Sequence, residues 1–200
     1  FMALRSVSNI VCSNDFTVSI NNDKRVVSFG WSKIGAHGHE EEDVFLPKIM
    51  YSVNHIISIS VGAGHCVCLD NDGNVYTFGS NEYGQLGIGD EDLSHTSIPQ
   101  KVNLPPCTQI SCGDAHTVCL SESGDIYSFG YNRNGQLGLG NNEDYYSPQL
   151  ISSLKDVEFI ECGRHHTFCK TLNNEIYCWG YNYHEPTTGR VHVKSFPKNH

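Results

Sequence analysis

A stretch of twenty residues, SCGDAHTVCLSESGDIYSFG at 111–130, decides the fold because it recurs along the chain. Copies of it read VGAGHCVCLDNDGNVYTFG at 61–79 and ECGRHHTFCKTLNNEIYCWG at 161–180, and a looser copy, VCSNDFTVSINNDKRVVSFG, fills 11–30. Each copy ends in an aromatic residue followed by glycine, and these pairs lie 49, 51 and 50 residues apart. Such a period indicates a repeat architecture in which each repeat is one supersecondary unit.

Two further pieces repeat in step with this stretch. Residues 81–87 read NEYGQLG, and residues 132–138 read NRNGQLG, in both cases directly after the aromatic-Gly strand. A proline then follows at intervals of 52, 49 and 49 residues, at Pro47, Pro99, Pro148 and Pro197. The repeated unit therefore has three parts in a fixed order.

Each unit contains four short strand-like runs. In the unit that begins at Pro99 these runs are 99–102, 110–113, 116–120 and 126–130, and the last two alternate with period 2 around the turn residues SESGD. Four strands per unit predict an all-β fold, a partial β-propeller of about 3.5–4 four-stranded antiparallel blades. The predicted divisions are 1–46 (an incomplete first blade), 47–98, 99–147, and 148–200 (a blade plus the start of the next).

Composition excludes several classes of function. Thirteen basic against 22 acidic residues give a net charge of −9, which argues against direct nucleic-acid binding because such binding depends on cations that neutralise phosphates. The nine cysteines are an odd number without a C-x-x-C pair, which favours a reducing compartment, cytoplasm or nucleus. No apolar run approaches the length of a signal sequence core or a membrane span, so no membrane association is expected.

The order G-x-x-H-T, D-G-x-Y-x-F/W-G and N-x-x-G-Q-L-G resembles the repeat of the regulator of chromosome condensation family. The resemblance covers nearly the whole chain, and it implies a seven-bladed propeller. Phe16 stands where the other units have histidine, and the first and last units lack G-Q-L-G. Four units cannot complete seven blades, so the chain is interpreted as a fragment of a longer propeller.

The recurring histidines and glycines are interpreted as structural. Each histidine occupies the same place in its own unit, so a ring spreads them around its axis and does not bring them to one centre. We expect them to hydrogen-bond neighbouring backbone and link adjacent blades, and we expect the glycines to be turn residues. No metal site, cofactor motif or catalytic constellation is present, and the chain is not predicted to be an enzyme. The residues given this structural role are His65, His116, His166, Gly79, Gly84, Gly130, Gly135 and Gly180.

Acidic loops recur between the aromatic-Gly strand and the next proline. Equivalent loops of adjacent blades share one rim, so their carboxylates are expected to form an acidic band. Either these loops are merely solvated, or they attract a basic protein surface. The acidic residues concerned are Glu40, Glu41, Glu42, Asp43, Asp90, Glu91, Asp92, Glu143 and Asp144.

The short turn inside G-x-x-H is the second candidate surface. It carries Asp114 in one unit and Arg164 and His165 in the next, and loops on a rigid scaffold commonly carry recognition residues. The resemblance implies that polar and acidic residues of this face act on the GTPase Ran in some family members. The main hypothesis is a protein-interaction propeller, and the alternative is a guanine-nucleotide exchange factor for a Ran-like small GTPase.

A partial ring has two open flanks. Each flank carries apolar residues that would pack against a neighbouring blade in a complete ring. Exposed apolar surface of this kind promotes association. The sequence therefore predicts that the 200-residue chain self-associates, most simply as a two-fold dimer.

Overall fold

The structure, a computed structural model, describes residues 7–32, 34–40 and 43–181, and the backbone alone of 192–194. These residues form sixteen strands in four separate antiparallel sheets of four strands, and no helix occurs among them. The strands of the first two sheets are β1 (Val7–Cys12), β2 (Phe16–Asn21), β3 (Val26–Trp31), β4 (Asp43–Ile49), β5 (Ile56–Val61), β6 (His65–Asp70), β7 (Val75–Ser80) and β8 (His95–Lys101). Those of the last two are β9 (Cys107–Cys112), β10 (His116–Ser121), β11 (Ile126–Gly130), β12 (Tyr145–Leu150), β13 (Val157–Cys162), β14 (His166–Thr171), β15 (Ile176–Gly180) and β16 (His192–Lys194).

The four sheets are the blades of a partial propeller, numbered here 1 to 4 in chain order. Within each blade every strand pairs with the next one along the chain. The first strands of successive blades, β1, β5, β9 and β13, contact one another in that order, so they line a common axis and the fourth strands form the perimeter. The predicted all-β fold with four-stranded antiparallel blades is confirmed.

The blades are offset from the sequence units because the proline-containing strand belongs to the preceding sheet. β8, which contains Pro99, pairs with β7 and closes blade 2. The expectation that this strand opens the following blade is therefore wrong, and blade 1, closed by β4, is complete with four strands. Pro47, Pro99 and Pro148 each lie inside a register shift of an edge strand, where no N–H is needed by the ladder.

Three apolar clusters fill the interfaces between adjacent blades. Each cluster contains the aromatic residue of the aromatic-Gly pair of the later blade: Phe78, Phe129 and Trp179. The G-Q-L-G piece of one blade lies against the aromatic ring of the next, since a Cβ at Gly87 would come 2.6 Å from the Phe129 ring and one at Gly138 would come 2.7 Å from Nε1 of Trp179. The motif is thus required by packing between blades.

Blade 1 exposes an apolar position that is covered in blade 3. Tyr146, two residues before Pro148, is covered by the loop of blade 2: its hydroxyl donates to the Glu82 carbonyl at 2.7 Å, and its own carbonyl accepts from the Gly89 N–H at 2.7 Å. Phe45 occupies the same position before Pro47 and is 85% exposed. The described residues include no blade that precedes blade 1, which explains this exposure.

Self-association of the 200-residue chain is expected to depend on Phe45. Replacement of Phe45 by serine should lower the association constant by roughly tenfold or more, because a fully buried Phe side chain contributes about 1.5–3 kcal/mol. Sedimentation equilibrium measures this constant. Ile98→Ser is the matched control, since Ile98 is an exposed perimeter residue of an interior blade. A monomer at every concentration, or an equal effect of both substitutions, would contradict the prediction.

Candidate functional site

One face of the propeller carries both surfaces that the sequence singles out. The G-x-x-H turn joins the first and second strands of a blade, and His116 at its end pairs with Gly130 at the end of β11. The loop that leaves Gly130 therefore starts at the same edge as the turn. The G-x-x-H turns and the acidic loops thus lie on one face, called here the turn face.

A shallow depression lies at the centre of the turn face. It has a volume of about 520 Å³ and is lined by equivalent residues of all four blades. Asp114 is the one carboxylate and Arg164 the one basic group among its lining residues, within the described part of the chain. The full lining is Cys12, Ser13, Asn14, Val61, Gly62, Ala63, Cys112, Gly113, Asp114, Cys162, Gly163 and Arg164.

Hydrogen bonds between successive turns fix the spacing of the depression. The Ser13 hydroxyl donates to the Gly62 carbonyl at 2.9 Å. The Ala63 N–H donates to the Asp114 carbonyl at 3.0 Å, and the Asp114 N–H donates in turn to the Arg164 carbonyl at 3.0 Å. The backbone of Asp114 is thus held from both sides, so its carboxylate projects from a rigid position.

Asp114, Arg164 and His165, predicted separately from the sequence, are brought together. Nε of Arg164 donates to Oδ2 of Asp114 at 2.6 Å, and Nε2 of His165 lies 3.9 Å from the same oxygen. The Asp114 carboxylate raises the pKa of Arg164. The side chain of Arg164 is 77% exposed and that of Asp114 is 32% exposed, so the ion pair lies at the water-facing rim of the depression.

The acidic loops of blades 2 and 3 meet around Tyr146. Burial, followed by the negative charges of Asp144, Glu91 and Glu82, raises the pKa of the Tyr146 hydroxyl. Carboxylates from two blades therefore share one region of the turn face. Glu40 and Asp43 are exposed in the corresponding loop of blade 1, whereas Glu41 and Glu42 lie outside the described residues.

Some of these carboxylates hold their own loops in shape. Oδ1 of Asp90 accepts the N–H groups of Asp92 and Leu93 at 3.0 and 3.1 Å. Oδ1 of Asp144 accepts the Asn132 N–H at 2.7 Å. Glu91, Asp92 and Glu143 are exposed, and their carboxylates make no such bond among the described residues.

Two of the recurring histidines link neighbouring blades, but through a threonine hydroxyl and not through the backbone as expected. Nε2 of His65 lies 3.0 Å from Oγ1 of Thr117 in the next blade, and His116 makes the same bond to Thr167. Since the Thr117 hydroxyl donates to the Gln85 carbonyl at 2.9 Å, it must accept from His65, whose Nε2 therefore carries a proton. His166 of blade 4 is half-buried and stacks on Phe168.

Burial lowers the pKa of both linking histidines, to about 4 for His65 and to about 3 for His116. Each side chain lies in a separate blade interface, and the described residues contain no group of three His, Cys, Asp or Glu placed to hold a metal ion. The geometry of these histidines thus supports a structural role.

The glycines of the aromatic-Gly pairs have a steric role. Gly79, Gly130 and Gly180 have φ angles of 106–109°, and a Cβ at Gly130 would lie 2.6 Å from the Ala115 carbonyl oxygen. Gly84 and Gly135 have φ angles of 84° and 73° in their loops.

Sequence reasoning missed a set of aromatic residues on the turn face. They follow the aromatic-Gly pair directly, and their N–H groups bond to the turn of the same blade, as Tyr131 does to Ala115 at 2.9 Å and Tyr181 to His165 at 2.8 Å. Trp31 and Tyr181 are 45% and 49% exposed. Their equivalent positions in the repeat are the signal that could have identified them.

Sequence comparison finds relatives that are much longer than this chain. The Ultraviolet-B receptor UVR8 of Arabidopsis thaliana is 29% identical over 152 residues, which cover 74% of this chain and 34% of that protein. The human probable E3 ubiquitin-protein ligase HERC6 is 34% identical over 161 residues, 74% of this chain and 15% of that protein. The matched part of the chain thus spans about a third of the first relative and less of the second.

Solved structures show the same fold at low identity. Yeast RCC1 (Prp20), solved with Kap60, superimposes with a TM-score of 0.86 at 19% identity, over 98% of this chain and 50% of that chain. Human WBSCR16 gives a TM-score of 0.83 at 22% identity, over 98% and 55%. The chain thus covers about half of each of these two solved chains.

The described residues contain no helix with the length and apolarity to cross a membrane. The pattern of the RCC1-like domain matches residues 2–197, almost the full length, in agreement with the repeats, the four blades and the solved structures. This chain belongs to the RCC1-like domain family.

Proposed function

We propose that this chain is a protein-interaction propeller whose turn face binds a basic protein surface. The observation that carries the proposal is the convergence of carboxylates from two blades around Tyr146, on the face that also presents Asp114 and the exposed aromatic rings. Charge of one sign on a rigid surface attracts a partner of the opposite sign and speeds its association. The exposed rings of Trp31 and Tyr181, on the same face in blades 1 and 4, add contacts with cationic side chains.

The proposal is tested with a fluorescently labelled peptide of alternating lysine, arginine and glycine. Binding, followed by anisotropy, should weaken as salt rises because charges at the surface are screened. The triple substitution Glu91→Gln, Asp92→Asn and Glu143→Gln should weaken it roughly threefold or more, since exposed charge pairs each contribute a small amount. These three carboxylates are chosen because Asp90 and Asp144 also hold their loops.

The control removes the same charge from the opposite face. Asp23→Asn, Asp72→Asn and Glu122→Gln alter exposed residues in turns between second and third strands, at the other edge of the blades. This variant should bind the peptide nearly as well as the original chain. Equal weakening by both triple variants, or no salt-dependent binding, would refute the proposal.

Nucleotide exchange on a Ran-like GTPase is a second candidate, which the place of Asp114 in the central depression favours. One solved relative is described with binding properties to Gsp1p and histones, a statement about that protein. A nucleotide-release assay tests the candidate: Asp114→Ala and Arg164→Ala should each slow release severalfold at an unchanged melting temperature. Unaltered release in both variants of an active protein would favour the interaction role alone.

A further inference from the structure

Asp114 has the features of a binding group for a cation. Its carboxylate is the one negative group lining a concave depression, among the described residues. Its backbone is fixed by the Ala63 N–H on one side and the Arg164 carbonyl on the other, both at 3.0 Å. A carboxylate held in place in this way loses little conformational freedom when a ligand binds.

Arg164 of the same chain occupies the cation position beside Asp114. Its guanidinium contacts Asp114 through Nε at 2.6 Å, and 77% of the side chain remains exposed. An exposed ion pair of this kind is weak, worth roughly fivefold or less in an equilibrium. The guanidinium can therefore leave at little cost, whereas the carboxylate stays in position.

We propose that Arg164 is an internal substitute for a partner's arginine, and that the guanidinium group of that arginine displaces Arg164 from Asp114 on binding. This inference rests on the proposed function, because it names the contact through which the basic partner is recognised. The depression suits a guanidinium because it already binds one at hydrogen-bonding distance. Arg164 then weakens the interaction slightly, because it competes with the partner's arginine for Asp114.

The experiment measures binding of a labelled peptide of alternating arginine and glycine to the whole chain and its variants. Arg164→Ala should tighten binding roughly two- to fivefold, since it removes the internal competitor. Asp114→Asn should weaken it about tenfold, since a hydrogen-bonded charge pair is lost. In the double variant, Arg164→Ala should add no effect to that of Asp114→Asn, because Arg164 has no carboxylate to bind once Asp114 is replaced.

Arg133 provides the matched control. It is an arginine of the same face, 72% exposed and 4.0 Å from Asp144, and it does not line the depression. Arg133→Ala removes the same positive charge from the face and should change binding less than Arg164→Ala does. Melting temperatures of all variants show whether each remains folded.

The outcomes separate the two proposals. If the peptide binds but Arg164→Ala weakens binding, Arg164 itself contacts the partner and the inference is overturned while the proposed function stands. The inference is likewise overturned if Arg133→Ala and Arg164→Ala act equally, or if the effects of Arg164→Ala and Asp114→Asn are additive. If no variant binds the peptide, both proposals fail.

Discussion

Acidification from pH 7.5 to pH 5 should reduce the free energy of unfolding by about 4 kcal/mol through His65 and His116 alone. Burial lowers their pKa in the folded chain to about 4 and about 3, against 6.5 for a free histidine. Above pH 6.5 both histidines are neutral in both states, and their contribution to stability is complete. Below 6.5 the unfolded chain binds two protons that the folded chain does not, at about 1.4 kcal/mol for each histidine and pH unit.

The loss should continue toward the folded-state pKa values and level off below them. Urea unfolding at half-unit steps between pH 7.5 and 5 measures it in a range where most carboxylates remain ionised. His65→Gln with His116→Gln should flatten the pH dependence, because glutamine can still donate an N–H toward the threonine but does not titrate. An unchanged slope in the double variant would contradict the assignment.

The strands were predictable from the sequence because their pattern is local. The run 126–130 was predicted and observed with the same bounds, and 116–120 differs from β10 by one residue. The sheet to which the proline-containing strand belongs was not predictable from the sequence. The local pattern does not say which neighbouring strand it pairs with. β8 returns beside β7 across the long loop 81–94, although the link from β8 to β9 is shorter, so loop length does not give the pairing partner. The proline itself was a usable clue, because an edge strand tolerates a residue without an N–H.

The candidate site was predictable as a set of positions but not as a set of contacts. Asp114 and Arg164 hold equivalent places in adjacent units, so their proximity follows from the ring. The sequence does not give the directions of their side chains, and the ion pair at 2.6 Å depends on those. Glu91 and Asp144 illustrate the same limit, since their shared influence on Tyr146 arises where two blades meet.

Gly113→Ala is expected to destabilise the propeller by about 3 kcal/mol or more. The φ angle of Gly113 is not in the left-handed region, so backbone conformation alone would permit alanine. A Cβ at this position, however, would overlap the His116 imidazole ring and come 2.7 Å from the Gly163 carbonyl oxygen. The ring would have to move, and its hydrogen bond to Thr167 at 3.0 Å would be lost in a buried interface.

Blade 1 shows which second substitution should compensate. Its turn has Ser13 where the other blades have this glycine, and Phe16 where they have the histidine, so a Cβ is accommodated once the imidazole is absent. The double variant Gly113→Ser with His116→Phe reproduces that combination and should recover part of the stability that Gly113→Ala loses. Thermal unfolding measures both, with a fall in Tm of roughly 6–12 °C expected for Gly113→Ala in a domain of this size. A double variant less stable than Gly113→Ala would show that the glycine is required by something other than the histidine ring. A Gly113→Ala variant as stable as the original chain would show that the interface can relax around the added methyl group.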